Sequence, residues 1–189
     1  MKNRVFTIPN ILTFIRFALI PVLVLFYLEF YQTLPFLPAV VFFIISLTDA
    51  ADGFIARRYD METDLGKVLD PLADKLFVLS MLICFTIKQP SVIIGVLLAI
   101  TLVKELYMIV AATLLYSRKF VIRSHPIGKF AALTLNLGVF LYFFISYHPS
   151  VKSAAQAVLL LGLILSISAA IYYTVIVYKQ TGGRLPPKK

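Results

Sequence analysis

Cysteine, histidine and acidic side chains are all scarce in this chain of 189 residues, and each scarcity excludes something. The single Cys84 rules out an intrachain disulfide and a cysteine-rich metal site. His125 and His148 are the only histidines, so a metal used in chemistry must lean on carboxylates. Charged residues make up only 14% of the chain, against about a quarter in soluble domains. Low-complexity linkers and solenoid-period repeats are also missing, which leaves one domain over residues 1–189.

What is abundant is apolar. Hydrophobic residues reach 60% and mean hydropathy is +0.92, an excess that needs lipid rather than water as solvent. Six apolar stretches can be drawn, at 8–30, 34–56, 66–87, 91–116, 126–147 and 154–178, each close to the ~20 residues that cross a bilayer. Punctuation separates them at Gln32 to Pro35, Arg57 to Asp64, Lys88 to Pro90, Ser117 to His125, and His148 to Lys152. The first stretch is far longer than a signal-peptide core and lacks a prompt cleavage site, so it reads as a retained span. The expectation is an all-α, polytopic integral membrane protein built as a bundle of six transmembrane helices.

The net charge of +9 would suggest nucleic acid as partner in a soluble protein. Here its distribution argues for membrane lipids instead. With six spans, one face collects Lys2, Arg4, Arg57, Arg58, Lys67, Arg118, Lys119, Arg123, Lys129, Lys179, Arg184, Lys188 and Lys189. The other face has Lys88 and Lys152. That asymmetry predicts cytoplasmic termini in a multi-pass protein of the cell membrane. Arg16, Lys75 and Lys104 fall inside spans or at their ends.

The acids are more unevenly placed still. Seven of nine lie between Asp49 and Asp74, and only Glu29 and Glu105 lie outside. Asp49 and Asp52 are three apart near the end of the second span, with Gly53 and Ala56 continuing their stripe. Gly66, Asp70 and Asp74 are four apart at the start of the third. Consecutive spans with a short connection are antiparallel neighbours, so the two stripes can meet near the cytoplasmic ends. Converging carboxylates repel unless neutralised, and Mg²⁺ or Mn²⁺ prefers such oxygen ligands. Two ions about 3.5–4 Å apart can clamp a phosphoryl displacement. Small Gly53, Ala56 and Gly66 leave room for a ligand or another helix, and Arg57 is placed to meet phosphate. Asp60, Glu62 and Asp64 read as a solvated loop.

This spacing, Asp49-x2-Asp52-Gly53-x2-Ala56-Arg57-x8-Gly66-x3-Asp70-x3-Asp74, resembles the signature of the CDP-alcohol phosphatidyltransferase family at each of its eight fixed positions. The resemblance implies two divalent ions on Asp49, Asp52, Asp70 and Asp74, with Asp74 as general base on the acceptor hydroxyl. It implies a cytidine nucleotide site at Asp52, Gly53, Ala56, Arg57 and Gly66, CDP-diacylglycerol as donor, CMP as leaving group, and a homodimer.

Outside the signature, Asn10, Thr13 and Arg16 form a polar stripe on the first span. Arg16 is either a functional group or a buried partner for the acidic cluster. The Pro9-Asn10, Thr13 and Arg16 pattern resembles the branch that makes phosphatidylglycerophosphate from glycerol 3-phosphate. Lys104 and Glu105 are adjacent on a helix, where neighbours do not face each other, so separate partners are expected. Arg118, Arg123 and Lys129 stand by the fourth connection; these, with Arg16 and Lys104, are candidates to hold an acceptor phosphate or to serve structure. Two departures, Lys104 where that branch has Arg and Phe130-Ala131-Ala132 after Lys129, keep a CMP-forming cardiolipin synthase in play. An intramembrane cation transporter predicts acids spread through several spans, and a non-catalytic scaffold predicts a lost ligand; neither pattern is present.

Overall fold

The computed structural model describes residues 7–34, 36–59, 63, 65–116, 126–146 and 148–181. For 8, 9, 50–57, 67, 68, 112, 114–116, 180 and 181 it describes the backbone alone. The described residues form six helices: α1 (Ile8–Phe30), α2 (Phe36–Arg58), α3 (Gly66–Lys88), α4 (Val92–Tyr116), α5 (Pro126–Tyr142) and α6 (Pro149–Thr181). Helix α1 packs on α2 and α3, α4 on α3 and α6, and α5 chiefly on α6.

The first four helices fall within two residues of the expected stretches. The last two do not. Helix α5 stops at Tyr142, followed by a turn through Phe143–Ser146. Helix α6 begins at Pro149, inside the expected break from His148 to Lys152. Proline suits the first position of a helix, where no N–H partner is needed, and the Ser150 N–H is met by His148 Nδ1 at 3.2 Å. At 33 residues α6 is about 50 Å long, more than the ~30 Å hydrocarbon core requires.

The segments Asn10–Phe30, Val92–Ala111 and Pro149–Lys179 are long and apolar enough to cross a membrane. Helices α2 and α5 carry shorter apolar stretches, Phe36–Asp49 and Pro126–Tyr142. Charge interrupts the apolar run of α3 at Lys67, Asp70, Asp74 and Lys75, and α2 carries Asp49, Asp52, Arg57 and Arg58 toward its end.

Large apolar side chains lie on both sides of the helix wall. Phe43, Leu47, Val103, Leu106 and Ile164 are exposed, a distribution that water would penalise and lipid would not. Inside, Phe42 stacks on Phe77 at 4.7 Å and Phe85 on Tyr142 at 4.2 Å, with Tyr27 edge-on to Phe85. Helices α5 and α6 interlock through glycine. A Cβ at Gly162 would lie 2.9 Å from the Leu135 backbone nitrogen, and one at Gly138 would lie 3.0 Å from that of Leu159.

The buried face of α1 places the site. It runs Asn10, Thr13, Arg16, Ile20, Leu23, Tyr27, polar for its first half and apolar for its second. Helix α3 has the matching order, from Gly66, Asp70 and Asp74 to Phe77, Met81 and Phe85. The core fills the apolar halves, and the polar halves meet at the other end.

Candidate functional site

Three hydrogen-bonding groups of α1 reach the carboxylate-bearing helices. Thr13 Oγ1 donates to Asp70 Oδ1 at 2.6 Å. Arg16 Nη1 donates to Asp74 Oδ1 at 2.9 Å, and Nη2 pairs with Asp49 Oδ1 at 2.5 Å. One guanidinium fork therefore draws α2 and α3 together on a side chain only 1% exposed. Its two carboxylate partners stay open, Asp49 at 44% and Asp74 at 57%. Of the two roles considered for Arg16, contact with the acidic cluster is the one observed.

The connection before α3 is tied to the same face of α1. Thr63 Oγ1 donates to Asn10 Oδ1 at 2.9 Å and accepts the Gly66 N–H at 2.9 Å. That contact meets one of the N–H groups left unsatisfied at a helix start. A Cβ at Gly66 would sit 2.9 Å from Asn10 Oδ1 and 3.1 Å from Thr63 Oγ1. Glycine is needed here for the approach of α1, the second of the two uses expected for it.

The structure thus gathers Asp49, Asp70 and Asp74 around Thr13 and Arg16. The side chains of Asp52, Gly53, Ala56 and Arg57 lie outside the described residues, as do Asp60, Glu62, Asp64, Arg118 and Arg123. Lys129 is exposed in the first turn of α5. Among the described residues no three carboxylate, imidazole or thiol groups converge as a metal site; Arg16 stands between Asp49 and Asp74, while Thr13 holds Asp70.

A second polar cluster joins α3, α4 and α6. Lys75 Nζ pairs with Glu105 Oε2 at 2.8 Å, Lys104 Nζ pairs with Glu105 Oε1, and Lys104 donates to Ser166 Oγ at 2.7 Å. The expectation that Lys104 and Glu105 avoid each other is corrected: Lys104 curls back on its flexible four-carbon stem to its neighbour. Each also finds the separate partner expected of it, Ser166 and Lys75. An apolar groove of about 500 Å³ between α4 and α6 reaches Lys104 and is crossed by Tyr107 Oη and Thr174 Oγ1, 2.7 Å apart.

Sequence reading missed Thr63, Lys75 and Ser166. Thr63 sits in a connection with no periodicity. Lys75 adjoins Asp74 in the chain but leaves the helix on another face, and hydroxyls such as Ser166 are common in apolar helices.

Comparison with known proteins follows the same geometry. Residues 6–174 match the family model for CDP-alcohol phosphatidyltransferase. A protein of Aquifex aeolicus named CDP-diacylglycerol–glycerol-3-phosphate 3-phosphatidyltransferase is 33% identical over 132 residues, 70% of this chain and 72% of that protein. One of the same name from Haemophilus influenzae is 32% identical over 173 residues, 89% of this chain and 91% of its own. A Schizosaccharomyces pombe fusion of CMP-forming cardiolipin synthase with a mitochondrial hydrolase matches over 90 residues at 37% identity, 47% of this chain and 14% of the fusion.

Proposed function

Because the chain belongs to the CDP-alcohol phosphatidyltransferase family, we propose that it transfers the phosphatidyl group of CDP-diacylglycerol to glycerol 3-phosphate and releases CMP. The two relatives matched over most of their length carry that activity in their names. The observation that carries the reading is Arg16 holding Asp49 of α2 and Asp74 of α3 in one fork, with Asp70 fixed beside them by Thr13.

In this reaction the acceptor hydroxyl oxygen bonds to the phosphatidyl phosphorus as the bond to the CMP oxygen breaks. CMP leaves with that electron pair. Asp74, 57% exposed, takes the hydroxyl proton; Arg16 holds its Oδ1 and so limits its rotation. Asp52, Gly53, Ala56, Arg57 and Gly66 form the cytidine nucleotide site of this reading. Small Gly53 and Ala56 allow close approach of the nucleotide, the space beside Gly66 being taken by Asn10 and Thr63, and Arg57 supplies charge to phosphate.

The donor set fits Mg²⁺ or Mn²⁺. Its described members are the carboxylates of Asp49 and Asp74, half-exposed and paired with Arg16, and of Asp70, which accepts from the neutral Thr13 hydroxyl. Asp49, Asp52, Asp70 and Asp74 would hold two such ions, which when bound neutralise carboxylates and substrate phosphates.

The reading extends to six spans with both termini and the site on the cytoplasmic face of the cell membrane, supported by the one-sided distribution of Lys and Arg. It includes assembly as a homodimer.

A second acceptor is favoured by the stretch shared with the cardiolipin synthase fusion: phosphatidylglycerol. The test is CMP release from CDP-diacylglycerol with glycerol 3-phosphate, phosphatidylglycerol, inositol, inositol phosphate and serine offered in parallel. Glycerol 3-phosphate is expected to be used, EDTA to stop turnover, and Mg²⁺ or Mn²⁺ to restore it. Preference for another acceptor overturns the assignment, and full turnover in EDTA removes the metals.

A further inference from the structure

Consecutive residues of a helix leave its axis about 100° apart. On α3, Asp74 and Lys75 are consecutive, and both are held by charge. Asp74 meets Arg16 of α1 at 2.9 Å, and Lys75 meets Glu105 of α4 at 2.8 Å. Glu105 also pairs with Lys104, which is anchored to Ser166 of α6 at 2.7 Å. Glu105 and Lys104 are 12% and 14% exposed, and Lys75 is 31% exposed. Helix α3 is thus tied to α1 on one azimuth and to α4 and α6 on another. A single tie lets a helix roll about its contact. Two ties about 100° apart remove the roll.

The same helix carries Asp70 and Asp74, so its rotation sets where both carboxylates point. Side chains extend about 5–6 Å from a helix axis, so a roll of about 10° moves a carboxylate by ~1 Å. A misplacement of that size costs about 10²-fold in rate where reacting groups must be aligned. Charges enclosed among apolar helices are costly to leave unpaired, so Lys75 resists release from Glu105.

We propose that Glu105 is a positioning residue: acting through Lys75, it fixes the rotation of α3 and thereby the aim of Asp70 and Asp74. The inference rests on the transferase reading of those aspartates. Glu105 takes no part in the bond changes.

The test compares Glu105→Gln with the unaltered chain in detergent. Turnover is expected to fall 10- to 100-fold, with KM for CDP-diacylglycerol and for acceptor within twofold of the unaltered values. Glu105→Asp keeps the charge and is expected to recover turnover to within about fivefold. A second readout needs neither activity nor metal. With Cys84→Ala as background, Thr13→Cys and Asp70→Cys are bridged by a short bifunctional thiol reagent in EDTA. Adding Glu105→Gln is expected to lower the bridging yield at least threefold.

Unchanged turnover with unchanged bridging overturns the proposal. So does a rise in KM confined to the acceptor, which would make the cluster a substrate contact. Should Glu105→Gln fail to fold, Ser166→Ala loosens Lys104 alone; a two- to fivefold fall in turnover at constant KM supports the proposal, and no change opposes it. If the unaltered chain releases CMP with no acceptor, the transferase reading fails, while the bridging yield still judges the rotational tie.

Discussion

Replacing Arg16 by methionine removes one buried cation from between two carboxylates while keeping an unbranched apolar stem. Its guanidinium contacts Asp49 at 2.5 Å and Asp74 at 2.9 Å and is 1% exposed. Breaking a fully buried ion pair costs about 3–5 kcal/mol, and an exposed pair about 0–1. Here the cation is buried but its partners are 44% and 57% exposed and regain water once it is gone. The expected loss therefore lies between those limits, at about 2–3 kcal/mol. Arg16→Lys should fall between, because an ammonium is a point charge and cannot fork to two carboxylates. The assay is SDS-titrated unfolding in mixed micelles, run in EDTA and again in millimolar Mn²⁺. Removing a cation leaves the carboxylate set one unit more negative, so divalent ions bind it more tightly. Ligand binding to the folded state adds stability as RT ln(1 + [L]/Kd). The Mn²⁺-induced gain should accordingly be larger in Arg16→Met than in the unaltered chain. Equal stability of the two proteins in EDTA would refute the clamp; a smaller Mn²⁺ gain in the variant would refute the carboxylates as the metal's ligands.

Asp74→Asn keeps an oxygen for Arg16 but loses the base, so transfer should fall by about 10²-fold or more while CDP-diacylglycerol binding stays measurable; near-normal turnover would remove Asp74 from that role. Gly162→Ala forces a Cβ to 2.9 Å from the Leu135 backbone and should cost about 1–3 kcal/mol by SDS titration. Gly95→Ala meets nothing within 4 Å and should be neutral or stabilising by up to about 1 kcal/mol. Equal effects at the two glycines would refute the close approach of α5 and α6.

Much of the fold was written locally. Apolar runs broken by Pro, Gln and charged clusters locate α1 to α4 because helix existence depends on the run itself. The ends of α5 and α6 were harder, since Phe143, Phe144 and Ile145 are as apolar as the helix before them. From the turn Phe143 packs against Tyr27, Phe42 and Phe85 and Phe144 against Phe36 and Phe140, a tertiary preference that composition does not register. The carboxylates were legible for the opposite reason. Spacings of three and four residues are a property of one helix, and they align Asp70 with Asp74 whatever packs against it. Glycine was half legible. Gly66 at the start of α3 announced a close approach, but only α1 docking through Asn10 showed what approached it.

Pairing between helices was the part that spacing did not carry, yet membrane physics narrows it. Arg16, Lys75 and Lys104 are the cations read within spans or at their ends, and each rests on a carboxylate. In low dielectric an unmatched cation would disfavour the fold, so acids have to be shared out among them. Asp49 and Asp74 serve Arg16, leaving Lys75 and Lys104 to converge on Glu105. Adjacency of Lys104 and Glu105 conceals this, because helical geometry discourages pairing neighbours while scarcity of acid demands it. Scarcity wins here. Lys75 needs a carboxylate on another azimuth from Asp74, and Glu105 on α4 provides it. The same shortage of acidic side chains that concentrates chemistry between Asp49 and Asp74 makes Glu105 the tie between the site-bearing α3 and the helices behind it.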